Sequence, residues 1–124
     1  MIGLGVDVVD LDRFAGIVER RANFVERIFT DGERDYCDRA GAAAKRVERY
    51  AVRFAAKEAV MKALGVGLGS FAFRDVEVGR DDSGVPALTL HRNAAAIAAE
   101  QGAARWHVSL SHSDVVAIAF VAAE

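Results

Sequence analysis

Apolar positions recur along the chain with two periods, and the places where the period changes mark the elements. Residues 2–9 (IGLGVDVV) are short, β-branched and spaced by glycines, the pattern of a strand that ends where Asp10 can cap a following helix. Over residues 11–21 the period lengthens. Leu11, Phe14, Ile17 and Val18 recur at helical spacing while Arg13, Glu19, Arg20 and Arg21 take other faces, which predicts an amphipathic helix with its arginines outside. After Phe24, Ile28 and Phe29, the stretch Thr30-Asp31-Gly32-Glu33 has capping-box spacing and predicts a short helix that carries Tyr36 and Cys37 and stops at Gly41. Residues 43–64 contain no Gly or Pro and form the longest predicted helix, broken by Gly65, Gly67 and Gly69.

The second half is dominated by strand patterns. Residues 71–80 and 85–90 read as strands flanking Asp81-Asp82-Ser83-Gly84, a hairpin turn by composition. An alanine-rich helix follows over 94–101 and is stopped by Gly102. Residues 105–111 and 115–122 form a second hairpin pattern around His112-Ser113-Asp114, with the last strand apolar on both faces. The predicted class is α+β: an antiparallel sheet packed with a long helix. Without a repeat, a linker or a low-complexity tract, residues 1–124 are expected to form a single domain.

Composition narrows the function classes. With 52% hydrophobic and 27% charged residues, the chain is too apolar for a disordered scaffold. A net charge of −2 speaks against generic nucleic-acid binding, although residues 1–62 carry 12 of the 16 Lys and Arg, so an anionic partner there is expected. Cys37 is the only cysteine, which excludes an intrachain disulfide and a Cys-rich zinc site. Neither a signal-peptide pattern nor an apolar run of about 18 residues is present, and the expectation is a soluble, unprocessed, cytoplasmic protein.

The chemistry concentrates on the long helix. Val47, Tyr50, Phe54 and Met61 define an apolar face with Glu58 at its edge, while Lys45, Arg49, Arg53 and Lys57 recur every four residues on another stripe. A carboxylate at the margin of an apolar face needs a compensating partner. Lys62, four residues on, would supply one as an ordinary helix ion pair. Alternatively, Glu58 and Asp7 hold a Mg²⁺ ion, which takes oxygen ligands and is often bound by only one or two carboxylates plus substrate phosphates. Lys62 and Arg53 would then neutralise phosphate oxygens beyond the metal's reach.

Three segments carry a resemblance. GVDVVDLDRF (5–14), RFAAKEAVMKALGVGLG (53–69) and SLSHS (109–113) occur in the order and positions seen in the short, bacterial-type 4'-phosphopantetheinyl transferases, the holo-acyl-carrier-protein synthases, and the match spans nearly the whole chain. The resemblance implies that Asp7 and Glu58 bind magnesium and that Lys62 lies at the pyrophosphate and the reacting phosphate. It further implies that Arg53, Ser111 and His112 contact coenzyme A, that Gly65 and Gly67 let backbone approach the nucleotide, and that Lys45 and Arg46 meet the ribose 3'-phosphate.

The implied reaction transfers phosphopantetheine from coenzyme A to a serine of an apo-acyl carrier protein, in fatty-acid or polyketide synthesis, releasing adenosine 3',5'-bisphosphate. Glu58 or a water could take the serine proton. Arg13, Arg20, Arg21 and Arg27 form a docking surface for the acidic carrier. Where the family pattern often has a basic residue before Phe24, this chain has Asn23. A homotrimer is implied as well, with a site at each interface. His91, His107 and Cys37 are read as structural or surface residues, and Asp10, Asp12, Glu33 and Asp35 as helix-start acids. A noncatalytic coenzyme A-binding module and an adaptor subunit are the competing classes.

Overall fold

The computed structural model describes residues 2–124. In chain order the elements are β1 (Gly3–Asp10), α1 (Leu11–Arg20), α2 (Phe24–Ile28), α3 (Asp31–Asp38), α4 (Ala43–Leu64), β2 (Val76–Arg80), β3 (Pro86–Leu90), α5 (Arg92–Glu100), β4 (Trp106–His112) and β5 (Val116–Ala123). The predicted caps are present. The Asp10 side chain accepts from Arg13 N at 2.8 Å, and Thr30 and Glu33 form a reciprocal capping box. Helix α4 begins and ends at the predicted residues, and Gly65 closes it in the left-handed conformation (φ 68°) that favours glycine.

All strand pairing is antiparallel, but it is divided between two sheets. β5 lies between β1 and β4, and β2 pairs only with β3. The central position of β5 explains its apolar sequence. Ala117, Ala119, Val121 and Ala123 are fully buried against the helices, while Phe120 points away on the outer face.

Strand β1 runs unusually close to α4. A Cβ on Gly3 or Gly5 would stand 1.9 Å from the carbonyl oxygen of Ala63 or Ala59 respectively, so only glycine permits this approach. Side chains alternate along a strand, so Gly3, Gly5 and Asp7 share the face turned to the helix, and Leu4, Val6 and Val8 take the other. The two glycines thus bring Asp7 to α4.

Several expectations are corrected. Residues 24–28 form a short helix that the apolar spacing did not predict; Asn23 precedes it at φ 65°, a left-handed conformation Asn tolerates better than most side chains. Helix α3 stops at Asp38, before Gly41. The first part of the predicted 71–80 strand is instead a 3-10 turn, Phe73–Asp75. Buried Asp75 accepts from Ala72 N and Arg92 Nε there, and Phe73 stacks on Phe54 with ring centroids 5.4 Å apart. His112 ends β4 rather than sitting in the turn.

The largest correction concerns the cationic stripe of α4. From Tyr50 to Leu64 every residue is buried except Phe54, Glu58 and Lys62, which are spaced by four and form one narrow window. Arg53 and Lys57 lie inside. Lys57 donates to Glu33 Oε1 at 2.8 Å, to the Phe73 carbonyl at 3.1 Å and to the Val76 carbonyl, while Glu33 also accepts from Val78 N at 2.8 Å. Burial pushes the Lys57 ammonium below its ordinary range, and the Glu33 charge opposes that shift. A buried pair with its donors and acceptors satisfied is tolerated, whereas removing one partner costs about 3–5 kcal/mol. Glu33, read as a helix-start acid, therefore also ties α3 to α4 and β2.

Candidate active site

Asp7 comes from β1 and Lys62 from the exposed window of α4, and they meet directly. Lys62 Nζ lies 3.0 Å from Asp7 Oδ1 and also donates to the Val6 carbonyl at 3.0 Å. The helix ion pair between Glu58 and Lys62 does not form. Glu58 has no hydrogen-bond or ion-pair partner among the described residues, and its carboxyl is raised above the usual range, first by burial and then by the charge of Asp7, with Lys62 opposing. The two acids are thus near enough to feel each other, although 51 positions separate them in the chain.

One carboxylate paired with a lysine and a second left unpaired beside it form a hard-oxygen donor set with negative charge to spare, which suits Mg²⁺. Asp7 and Glu58 could supply two ligands, leaving the other positions to water and substrate. Among the described residues there is no cluster of three or more His, Cys, Asp or Glu side chains, so any metal here depends on few protein ligands.

Two clefts open beside α4. Glu58 is the one acid lining a cleft of about 310 Å³ whose walls include Phe24, Ile28, Phe54 and Phe73, with exposed Arg21 and Arg27 also along it. Lys45, Arg53, Ser111 and His112 line the other, of about 410 Å³. His112 Nδ1 lies 3.0 Å from Glu48 Oε2, and Lys45 Nζ lies 3.7 Å from Glu48 Oε1.

Arg46 does not join that group, because its guanidinium donates to the Ala40 and Gly41 carbonyls at 2.9 and 3.3 Å. Gly65 is engaged as the helix cap. Gly67 has open space where a Cβ would stand. Arg13 and Arg20 are exposed on α1. The cleft also contains Tyr36, Arg49 and Arg80, to which the sequence reading gave no site role. Tyr36 and Arg80 lie far from the three motif segments, and nothing in their spacing announced them.

Cys37 is fully buried and its thiol is pushed up to about 11, chiefly by burial, which fits a packing role. His91 pairs with Glu77 at 3.0 Å, and His107 lies 2.5 Å from Glu124, both away from the acid pair.

A helix that meets a sheet so as to join two distant acids and a lysine, and that carries a separate basic cleft nearer its start, suits a transferase of phosphate-bearing groups. The family model described as the 4'-phosphopantetheinyl transferase superfamily matches residues 3–121, and the chain belongs to that superfamily. Within it, the relatives are holo-[acyl-carrier-protein] synthases. That of Methylobacterium radiotolerans is 49% identical, covering 100% of this chain and 93% of its own. That of Koribacter versatilis is 42% identical, covering 100% and 98%.

The crystal structure of the Neisseria meningitidis holo-[acyl-carrier-protein] synthase superposes with a TM-score of 0.87 at 36% identity, covering 100% of this chain and 99% of that one. The Bacillus anthracis synthase, solved in complex with CoA (3',5'-ADP), gives a TM-score of 0.81 at 35% identity, covering 98% and 95%. These likenesses agree with the α+β class and with the family resemblance of the three motifs.

Proposed function

We propose that the chain transfers the 4'-phosphopantetheine arm of coenzyme A to a serine of an apo-acyl carrier protein. The full-length likeness to holo-[acyl-carrier-protein] synthases carries this reading, and the meeting of Asp7, Glu58 and Lys62 supports it. The serine oxygen forms a bond to the phosphorus next to pantetheine, and the bond from that phosphorus to the bridging pyrophosphate oxygen breaks. Adenosine 3',5'-bisphosphate leaves.

Lys62 offsets charge on the phosphate oxygens. Glu58, unpaired and more basic than an ordinary glutamate, is the carboxylate lining its cleft that can take the serine proton. A Mg²⁺ ion held by Asp7 and Glu58 would supply further charge neutralisation at the pyrophosphate.

The Glu58 cleft, with arginines beside an apolar hollow, suits an acidic partner that inserts a side chain, so carrier docking is assigned to Arg21 and Arg27 with Arg13 and Arg20 alongside. A homotrimer is also proposed, supported by the exposed apolar face described below. The setting is the cytoplasm, where carrier proteins and coenzyme A meet; no helix among the described residues is long and apolar enough to cross a membrane.

Incubation with an apo-carrier protein, coenzyme A and Mg²⁺ should add one phosphopantetheine mass to one serine, read by intact-protein mass spectrometry. Asp7→Asn should lower kcat/KM by about 100-fold, and chelation of divalent ions should have a similar effect. No mass gain on a carrier that a known synthase modifies would reject the proposal.

A further inference from the structure

Asp75 is a carboxylate almost without access to water, 2% exposed, in the 3-10 turn that interrupts the predicted strand. Its Oδ2 accepts from Ala72 N at 3.3 Å, at the start of the turn, and its Oδ1 accepts from Arg92 Nε at 3.1 Å. Its backbone is held as well. The Asp75 amide donates to the Ala72 carbonyl at 2.9 Å, and its carbonyl accepts from His91 N at 2.7 Å. Arg92, whose side chain is 73% exposed, makes its contact with the backbone at φ 43°, a left-handed conformation that long side chains rarely adopt. A residue stays in such a conformation where its surroundings over-determine it.

Stability alone gives little reason for this arrangement, because burying a charge is costly and an apolar residue in the same space is often at least as stable. What the arrangement secures is the position of Phe73. That ring stacks on Phe54 at 5.4 Å, and Phe54 packs on Phe24 at 5.9 Å. The three rings, with Ile28 and Leu68, line the cleft of Glu58. Phe54 and Glu58 are one helical turn apart, about 6 Å along α4, so Phe73 and the carboxylate belong to the same short stretch of cleft wall. Lys57 also reaches the Phe73 carbonyl, but it bonds to α3 and β2 at the same time. The bonds of Asp75 stay with the turn and with the residues that follow β3. Neither Asp75, Arg92 nor Phe73 lines the larger, basic cleft.

We propose that Asp75, steadied by Arg92, is a positioning residue for transfer: it fixes the turn so that Phe73 stands as the wall against which the carrier serine is aligned beside Glu58. This rests on the transfer reading above and adds the element that orients the acceptor.

Asp75→Asn keeps the shape of the side chain but leaves one acceptor for two donors. It should lower kcat/KM for the carrier about 10-fold and leave the KM for coenzyme A within about twofold. Phe73→Ala should cause a similar loss. Adding Asp75→Asn to Phe73→Ala should lower transfer by less than about twofold more, since two residues that act through one contact are not additive. A full further loss of about 10-fold in the double variant, or an equal rise in the KM for coenzyme A, would overturn the proposal.

Arg92→Gly tests the same chain of contacts without touching the core, because glycine adopts φ 43° freely. Its kcat/KM for the carrier should fall about 5-fold, with Arg92→Lys, which keeps a cation, nearer the wild type. Amide hydrogen exchange reads the turn without turnover. The amides of Asp75 and Val76 should exchange at least about 10-fold faster in Arg92→Gly, with those of α4 unchanged. Equal exchange in the variant and the wild type would reject the hold of Arg92 on the turn. If the wild type transfers nothing while the exchange difference is seen, the transfer reading is what fails.

Discussion

Glu58 is where a single side chain shows most clearly the tension between stability and function. Its folded-state pKa is raised, by burial first and Asp7 second. A group raised in this way contributes stability below its unfolded pKa and loses that contribution as pH rises through the folded value. At neutral pH its charge is therefore a burden on the protein without metal. Glu58→Gln should raise the thermal midpoint of the metal-free protein by on the order of 2 °C at about pH 7.5, with the gain fading toward about pH 4, while transfer falls about 100-fold. Calorimetry across that pH range checks it; a lower midpoint at neutral pH would refute the cause given.

Among individual residues, Asp7, Glu58 and Lys62 were legible from motif and helix edge, but the pairing was not. Lys62 was equally able to reach Glu58 four residues earlier. It goes to Asp7 because β1 passes alongside the window that Phe54, Glu58 and Lys62 leave in α4. Arg46 looked as suitable as Lys45 for a phosphate, and only the carbonyls of Ala40 and Gly41 distinguish them.

At the scale of elements, the contact between β1 and α4 sets the site. Gly5→Ala would drive a methyl into the Ala59 carbonyl, and the shift needed to relieve the clash should cost about 3 kcal/mol. Gly67→Ala meets open space at a backbone angle an L residue accepts, so its cost should stay near 0.5 kcal/mol. Urea denaturation of the two variants makes the comparison. A rise in the KM for coenzyme A in Gly67→Ala at unchanged stability would support close approach of the ligand to that backbone.

Caps and breakers made most boundaries readable, since Asp10, Thr30 and Gly65 act on their immediate neighbours. The segments that misread are those decided by distant partners. Residues 73–75 alternate like a strand yet turn, because Asp75 is held by Arg92 from the start of α5 and Phe73 by Phe54 on α4.

On the whole molecule, the outer face of the three-stranded sheet is the feature one chain leaves unfinished. Leu4, Val6 and Val8 of β1 are 55, 49 and 57% exposed, and Phe120, paired with Val6 across the ladder, is 47% exposed. A contiguous apolar face of this kind marks an interface, and a second copy of the chain is its natural occupant under the trimer proposal. Phe120→Lys should shift the protein toward the monomer in multi-angle light scattering while far-ultraviolet circular dichroism stays native. A wild-type chain that is already monomeric at tens of micromolar would end the trimer proposal.

The sequence by itself determined what neighbouring residues can settle: the extent of α4, the caps, the α+β order, and the presence of two acids and a lysine in motifs of one family. Tertiary structure decided which side chains those elements leave open. Lys57 and Arg53 read as part of a cationic stripe and are buried, Leu4 and Val6 lie in an apolar strand and are exposed, and Tyr36 gathers arginines from α4 and β2. The reason is that periodicity reports a face but not what covers it. On β1 the face that packs inward carries Gly3 and Gly5, because backbone has to approach backbone there, and hydrophobicity alone points to the opposite side.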